Sequence, residues 1–260
     1  MFHFKSPSTV LKELGIIDPE DIWLEAIAQY CGATIRYEQL EGAEARIIGY
    51  RDRAIITIDS RLSPERKRFC AGHELGHWMN DRGRVSFACT AKMFVREWSN
   101  DNPERRANRY ATELLLPEAM FIPRAKNQAV TFETVRSLAS EFQTSLTATA
   151  IRLVDLGSFP AMIICNEGGK RIWFSRGPDV PKAIWPKDRP GPYTNAQALL
   201  KGQQASEGPI KIGADEWIEH EDAWRYLLIE DSVKITGNLV LSLLWWEDEK
   251  QLLDIEFDDE

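Results

Sequence analysis

His73-Glu74-Leu75-Gly76-His77 is the segment of this chain best equipped for chemistry. On a helix, positions i and i+4 share a face, so the two imidazoles can be aimed at one cation. Zinc suits such a pair joined by a carboxylate, because it accepts a tetrahedral set of nitrogen and oxygen donors and leaves a fourth position for water. Manganese or iron would also accept these donors. Glu74 lies about 100° round the helix from His73, off the chelating face but within reach of that water. It is the candidate general base, taking a proton from metal-activated water and returning it to a leaving amine.

A third protein ligand must come from elsewhere. Glu104 is the favoured candidate, since it opens a downstream helix after a connection long enough for that helix to cross the first. Asn108 and Ala111 share its face, and Ala107 and Ala111 are small enough to allow close approach of two helices. Glu113 points about 180° away from Glu104. It is a weaker candidate, as are Asp101 and Glu97 in the intervening loop. Cys89, in the same loop, could add a thiolate that closes the metal site and holds it inactive.

The surrounding pattern indicates what holds these residues. Asp18-Pro19-Glu20-Asp21 precedes apolar residues at helical spacing, predicting a helix that ends at Cys31-Gly32. Ala33 to Tyr37, Ala45 to Tyr50 and Ala54 to Ile58 are Ile-rich and alternate, predicting an antiparallel three-stranded meander. Ser63-Pro64-Glu65 caps the HExxH helix, which runs to about Met79, and Asn102-Pro103-Glu104 starts the next one, ending near Leu116. Thr131 to Phe142 and Ser145 to Leu156 form a helix-turn-helix-like pair. Beyond residue 158 come short strands, at Ala161 to Cys165, Arg171 to Ser175, Pro209 to Ile212, Arg225 to Glu230 and Asn238 to Trp246, joined by Gly- and Pro-rich loops.

Composition sets outer bounds. The 260 residues are 43% hydrophobic with nine Trp and eleven Phe, which excludes general disorder. The apolar run from Gly237 to Trp246 is about half of what a membrane-spanning helix needs. No secretory signal pattern opens the chain, and Cys31, Cys70, Cys89 and Cys165 form no CxxC pair, so a cytoplasmic location with reduced thiols is expected. Net charge is −8, of which −7 falls in the tail from Glu247 to Glu260. The helix pair carries Arg136 and Arg152 against Glu133, Glu141 and Asp155, too few cations for phosphate contacts, so no direct nucleic-acid binding is expected.

Arg68-Phe69-Cys70-Ala71-Gly72-His73-Glu74-Leu75-Gly76-His77-Trp78, followed by Glu104 to Pro117, resembles the ImmA/IrrE family of metallopeptidases. The family pattern runs R-F-x-x-A-H-E-x-G-H and then E-x-x-A-N-x-F-A-x-x-L-L-M-P. This chain departs from it at Gly72, Tyr110 and Leu116, none of which is a ligand or the base. The resemblance covers roughly residues 15 to 157. It implies that the glutamate opening the second motif, Glu104, completes the metal site with His73 and His77. It also implies a cytoplasmic zinc endopeptidase that cuts a helix-turn-helix transcriptional repressor encoded nearby. Sensory modules follow the peptidase in some relatives, which implies a sensory role for the C-terminal part.

The expected architecture is α+β. A zincin-like metallopeptidase domain with a small antiparallel sheet (1–127) precedes the helical pair packed on it (128–158), a mainly β C-terminal domain (159–246) and an acidic tail (247–260). The alternative to the protease is a non-catalytic regulator that sequesters a partner protein and keeps its metal for structure. An intact Glu74 and only three good ligands argue against it.

Overall fold

A computed structural model describes residues 5–81, 102–248 and 250–252, and the backbone of 86–89. The chain divides into two compact units, Met1–Phe121 with Ala139–Ser145, and Ile122–Leu138 with Leu146–Glu260. The tail residues 249 and 253–260 lie outside the described residues.

In the first unit, helix α1 (Pro7–Glu13) starts where Ser6 Oγ accepts the backbone N–H of Thr9, with Pro7 at the first helical position. Sequence reasoning passed over it, although its cap has the same form as the one at Ser63. The single helix expected from Asp18 is in fact a 3-10 turn, Pro19–Asp21, followed by α2 (Leu24–Tyr30). The chain breaks at Ile22 and Trp23, which take non-helical backbone angles.

Strands β1 (Ala33–Glu38), β2 (Ala45–Tyr50) and β3 (Arg53–Asp59) lie where expected, but not in the expected arrangement. With β4 (Ser86–Cys89) the sheet order is β1-β3-β2-β4, and β1 pairs parallel with β3. The sheet is therefore mixed rather than a wholly antiparallel meander. Arg51 and Asp52 make a tight turn that returns β3 antiparallel along β2, whereas residues 39–44 form a link long enough to carry the chain past the place that β3 fills. Strand direction follows from such a pattern; neighbour order does not.

Helix α3 (Pro64–Asn80) covers the inner face of this sheet, where Ala33, Ala45, Ile47, Ala54, Ile56 and Ile58 are buried. Its Ser63 cap accepts the N–H of Arg66. Trp78 anchors the far end: its ring lies against Gly49, where a Cβ would come within 2.6 Å of it, and its Nε1–H donates to Cys31 O at 2.8 Å. Helix α4 (Pro103–Leu115) packs on α3 and is followed by α5 (Glu118–Ala125), α6 (Phe132–Phe142) and α7 (Leu146–Leu156).

In the second unit, β5 (Ala161–Glu167), β6 (Lys170–Arg176), β7 (Ile210–Gly213), β8 (Leu227–Thr236) and β9 (Leu239–Trp245) form an antiparallel sheet in the order β6-β5-β9-β8-β7. Met162, Ile164, Val240 and Leu244 pack from one face of it against Trp217, Ile218 and Trp246. Between the Gly- and Pro-rich turns of residues 177–208 the chain forms a further helix, α8 (Asn195–Leu200), capped by Thr194. Part of its support is remote in sequence: the carboxylate of Glu230, fully buried on β8, accepts the N–H groups of Asn195 at 3.2 Å and Ala196 at 2.8 Å. Among the described residues no helix is long and apolar enough to cross a membrane.

Candidate metal centre

The HExxH residues sit in the most enclosed stretch of α3. Cys70 through Met79 are all buried, and His73, Glu74 and His77 expose no more than 2% of their surface. Glycines allow this. A Cβ on Gly76 would lie 2.9 Å from Ala107 Cα and Tyr110 Cβ, and one on Gly72 would lie 3.3 Å from Ala111. Gly72 and Gly76 on α3 therefore meet Ala111 and Ala107 on α4 at nearly backbone separation, which brings the start of α4 over the histidines.

That start carries Glu104, whose N–H is capped by Asn102 Oδ1 at 2.9 Å. Its carboxylate reaches both imidazoles: Oε2 is 3.1 Å from His73 Nε2, and Oε1 is 3.3 Å from His77 Nε2. The two Nε2 atoms are 3.1 Å apart. Ligand atoms of His73, His77 and Glu104 all lie within 4.8 Å of one another, as a group that could hold a metal ion. Donors at zinc-type distances of about 2.0–2.1 Å in a tetrahedron are separated by roughly 3.3 Å, so the three side chains fit one face of such a shell. Burial pushes the Glu104 carboxyl up, but hydrogen bonds and charge interactions with His73 and His77 outweigh it and hold the pKa at about 2.

Each histidine has a polar neighbour. His73 Nδ1–H donates to Asn108 Oδ1 at 2.9 Å, which turns Nε2 toward the side it shares with Glu104 and His77. Asp81 Oδ2 lies 3.8 Å from His77 Nδ1, and its Oδ1 accepts from Arg106 Nη2 at 2.6 Å. Sequence reasoning placed Asn108 on the correct face without giving it this task, and it missed Asp81. The signal for both was spacing: Asp81 follows His77 by one helical turn, and Asn108 follows Glu104 by one.

Of the weaker candidates, Glu113 is turned away and pairs with Arg109 at 2.8 Å. Asp101, Glu97 and the Cys89 side chain lie outside the described residues. Tyr110 is buried, with its Cβ beside Gly76. Three basic residues near α3 have partners within the fold: Arg66 pairs with Glu44, Arg61 with Asp59, and Arg68 donates to Ile22 O.

A comparison of the sequence with protein families matches residues 28–154 to Peptidase_M78, the IrrE N-terminal-like domain. This segment belongs to that family. The match spans β1 through α7 and includes both metal-site motifs. The match to this IrrE-like family supports a peptidase-type function, and the His73, His77 and Glu104 cluster suggests a metal cofactor. No curated protein matches the chain significantly. A solved structure described as a Mycobacterium tuberculosis transcriptional regulator is similar, with a TM-score of 0.59 and 13% identity over 92% of this chain and 73% of that one. At that identity the likeness speaks for the fold alone.

Proposed function

We propose that the chain is a metal-dependent endopeptidase acting in the cytoplasm on a protein substrate, with a helix-turn-helix transcriptional repressor as the substrate that its family resemblance implies. The observation that carries this reading is the convergence of His73, His77 and Glu104 within 4.8 Å in a family of peptidases. These three residues would hold the cation, zinc by preference for this donor set. When bound, the metal supplies Lewis acidity at the scissile carbonyl and at water.

The remaining roles belong to the chain. Asn108 keeps the proton of His73 on Nδ1 and so presents Nε2 as a donor. Glu104 keeps its charge beside the imidazoles. Glu74 would take the proton from the attacking water and hand it to the amine as the peptide bond breaks, a contribution of about 10²–10⁴ in rate.

Metal analysis of the parent, Glu104→Ala and Glu74→Gln, followed by incubation of each with the repressor encoded nearby, tests the assignment. The expected result is about one metal in the parent and in Glu74→Gln, loss of metal in Glu104→Ala, and cleavage by the parent alone. Metal retained without Glu104 overturns the ligand set. A loaded parent that binds the repressor and leaves it intact overturns the protease reading in favour of a sequestering regulator.

A further inference from the structure

The face of the first sheet that points away from α3 has an unusual composition. Alternation puts Thr34 and Arg36 of β1, Arg46, Ile48 and Tyr50 of β2, and Arg53, Ile55 and Thr57 of β3 on it. Ile48 stands directly across from Ile55, Tyr50 from Arg53, and Arg46 and Arg36 on either side of Thr57. The apolar residues are open to solvent: Ile48 is 57%, Tyr50 72% and Ile55 40% exposed. An isoleucine pair and a tyrosine thus form a centre with arginines at both ends, and the Arg51 guanidinium adds a further cation 5.2 Å from the Tyr50 ring centroid.

These arginines differ from three others of the unit. Arg61, Arg66 and Arg68 are engaged by Asp59, Glu44 and the Ile22 carbonyl. Arg36, Arg46 and Arg53 are exposed and make no ion pair among the described residues. On the same face Asp59 is neutralised by Arg61, leaving Glu38 at one corner and Asp52 in the turn as the opposing charges. A solvated sheet face has no need of adjacent isoleucines, and clustered Tyr and Arg around an aliphatic centre is the composition of a protein-binding surface.

We propose that this outer face is a docking surface for an acidic polypeptide segment bearing aliphatic or aromatic side chains. Carboxylates of the partner meet Arg36, Arg46 and Arg53, while its apolar residues cover Ile48, Tyr50 and Ile55. A nucleic acid fits less well, because the centre of the face is aliphatic rather than a run of cations. The α3 side of the sheet carries the metal-site helix, so a partner on the outer face leaves that helix uncovered. The proposal does not depend on peptidase activity; if the peptidase reading also holds, the surface recruits substrate.

The test is fluorescence anisotropy on the full chain with a labelled synthetic peptide in which Asp and Glu alternate with Leu, Ile and Phe. Binding is expected, weakening with salt and falling about tenfold or more in the triple variant Arg36→Glu, Arg46→Glu, Arg53→Glu and in Ile48→Ser with Ile55→Ser. The single exposed change Arg53→Glu, expected to weaken binding about threefold, guards against misfolding of the multiple variants, as does unchanged circular dichroism. No binding by the parent overturns the proposal, as does equal binding by folded variants. Equal binding of a peptide with Ser in place of its apolar residues reduces the face to mere charge and also overturns it. Preference for a single-stranded oligonucleotide assigns the face to nucleic acid, and concentration-dependent self-association abolished by the same variants assigns it to a second copy; either result replaces the acidic segment as occupant. Because nothing is cleaved, an inactive protein that still binds the peptide separates this proposal from the peptidase one.

Discussion

Glu104 in the first unit and Glu230 in the second are both carboxylates drawn out of solvent, and their surroundings push their protonation in opposite directions. Burial raises each. At Glu104 the two imidazoles overcome it and hold the pKa at about 2. At Glu230 the opposing donors include the Ser232 hydroxyl, the N–H groups of Ala196 and Asn195 and the Trp217 indole, and burial prevails, so the pKa is raised. The imidazoles act on Glu104 through hydrogen bonds and charge interactions, whereas Glu230 meets only uncharged hydrogen-bond donors. The geometry differs too. The acceptors of Glu230 are spent on the start of α8 and on Ser232, which makes it part of the frame. Glu104, His73 and His77 turn their donor atoms toward one another, an arrangement useful mainly to a cation. Burial of charge therefore marks no site by itself; the direction of the donors does.

The contrast can be broken at its framework end. Glu230→Ala strands two buried N–H groups and should cost the second unit about 3 kcal/mol, read by denaturant unfolding, with metal content unchanged. A loss of metal would show that Glu230 is no mere support. The site end is sharpened by two glycines. Gly76→Ala forces a Cβ to 2.9 Å from Ala107 and should cost about 2 kcal/mol and weaken metal binding. Gly72→Ala, at 3.3 Å from Ala111 and restoring the residue of the family pattern, should change stability by only about 0.5 kcal/mol. Calorimetry on both variants decides whether close approach of α3 and α4 is what builds the centre. Asn108→Ala removes the acceptor for His73 Nδ1 and should lower metal affinity about tenfold, measured by competition with a chelator.

The smallest effect is one of pH, and its sign differs between the units. Burial raises the folded pKa of Glu230 and of Asp231 above 4.5 and 3.8, so the stability tied to them is full below those values and is lost as pH rises through the folded pKa. In the first unit, hydrogen bonds from Arg61 hold Asp59 down to about 2. Its contribution is present above 3.8 and is lost as pH falls through about 2. Hydrogen exchange should show β8 amides more protected at pH 4 than at pH 7, and β3 amides losing protection only on stronger acidification. Glu230→Gln should flatten the first trend and Arg61→Ala should remove the second.

Much of this was legible from local pattern. Ser63-Pro64 and Asn102-Pro103 mark the starts of the two site helices because a cap and a fixed proline φ act within a few residues. The same Ser-Pro signature at Ser6-Pro7 was readable but passed over. Alternation located the C-terminal strands for the same local reason, yet α8 escaped, since its six residues have weak periodicity and its start is held in part by Glu230, some 35 positions away.

The sequence by itself determined that His73 and His77 share a helix face and that Glu104 heads the next helix, because helical spacing and capping are short-range geometry. The tertiary structure decided the rest. It set β1 beside β3, closed α3 on α4 through Gly76 and Ala107, and gave His73 its Asn108 partner. It also left Arg36, Arg46 and Arg53 together on an open face. Each of these joins residues far apart along the chain, and contacts of that kind are chosen by the packing of whole elements, which leaves no period in the sequence to read.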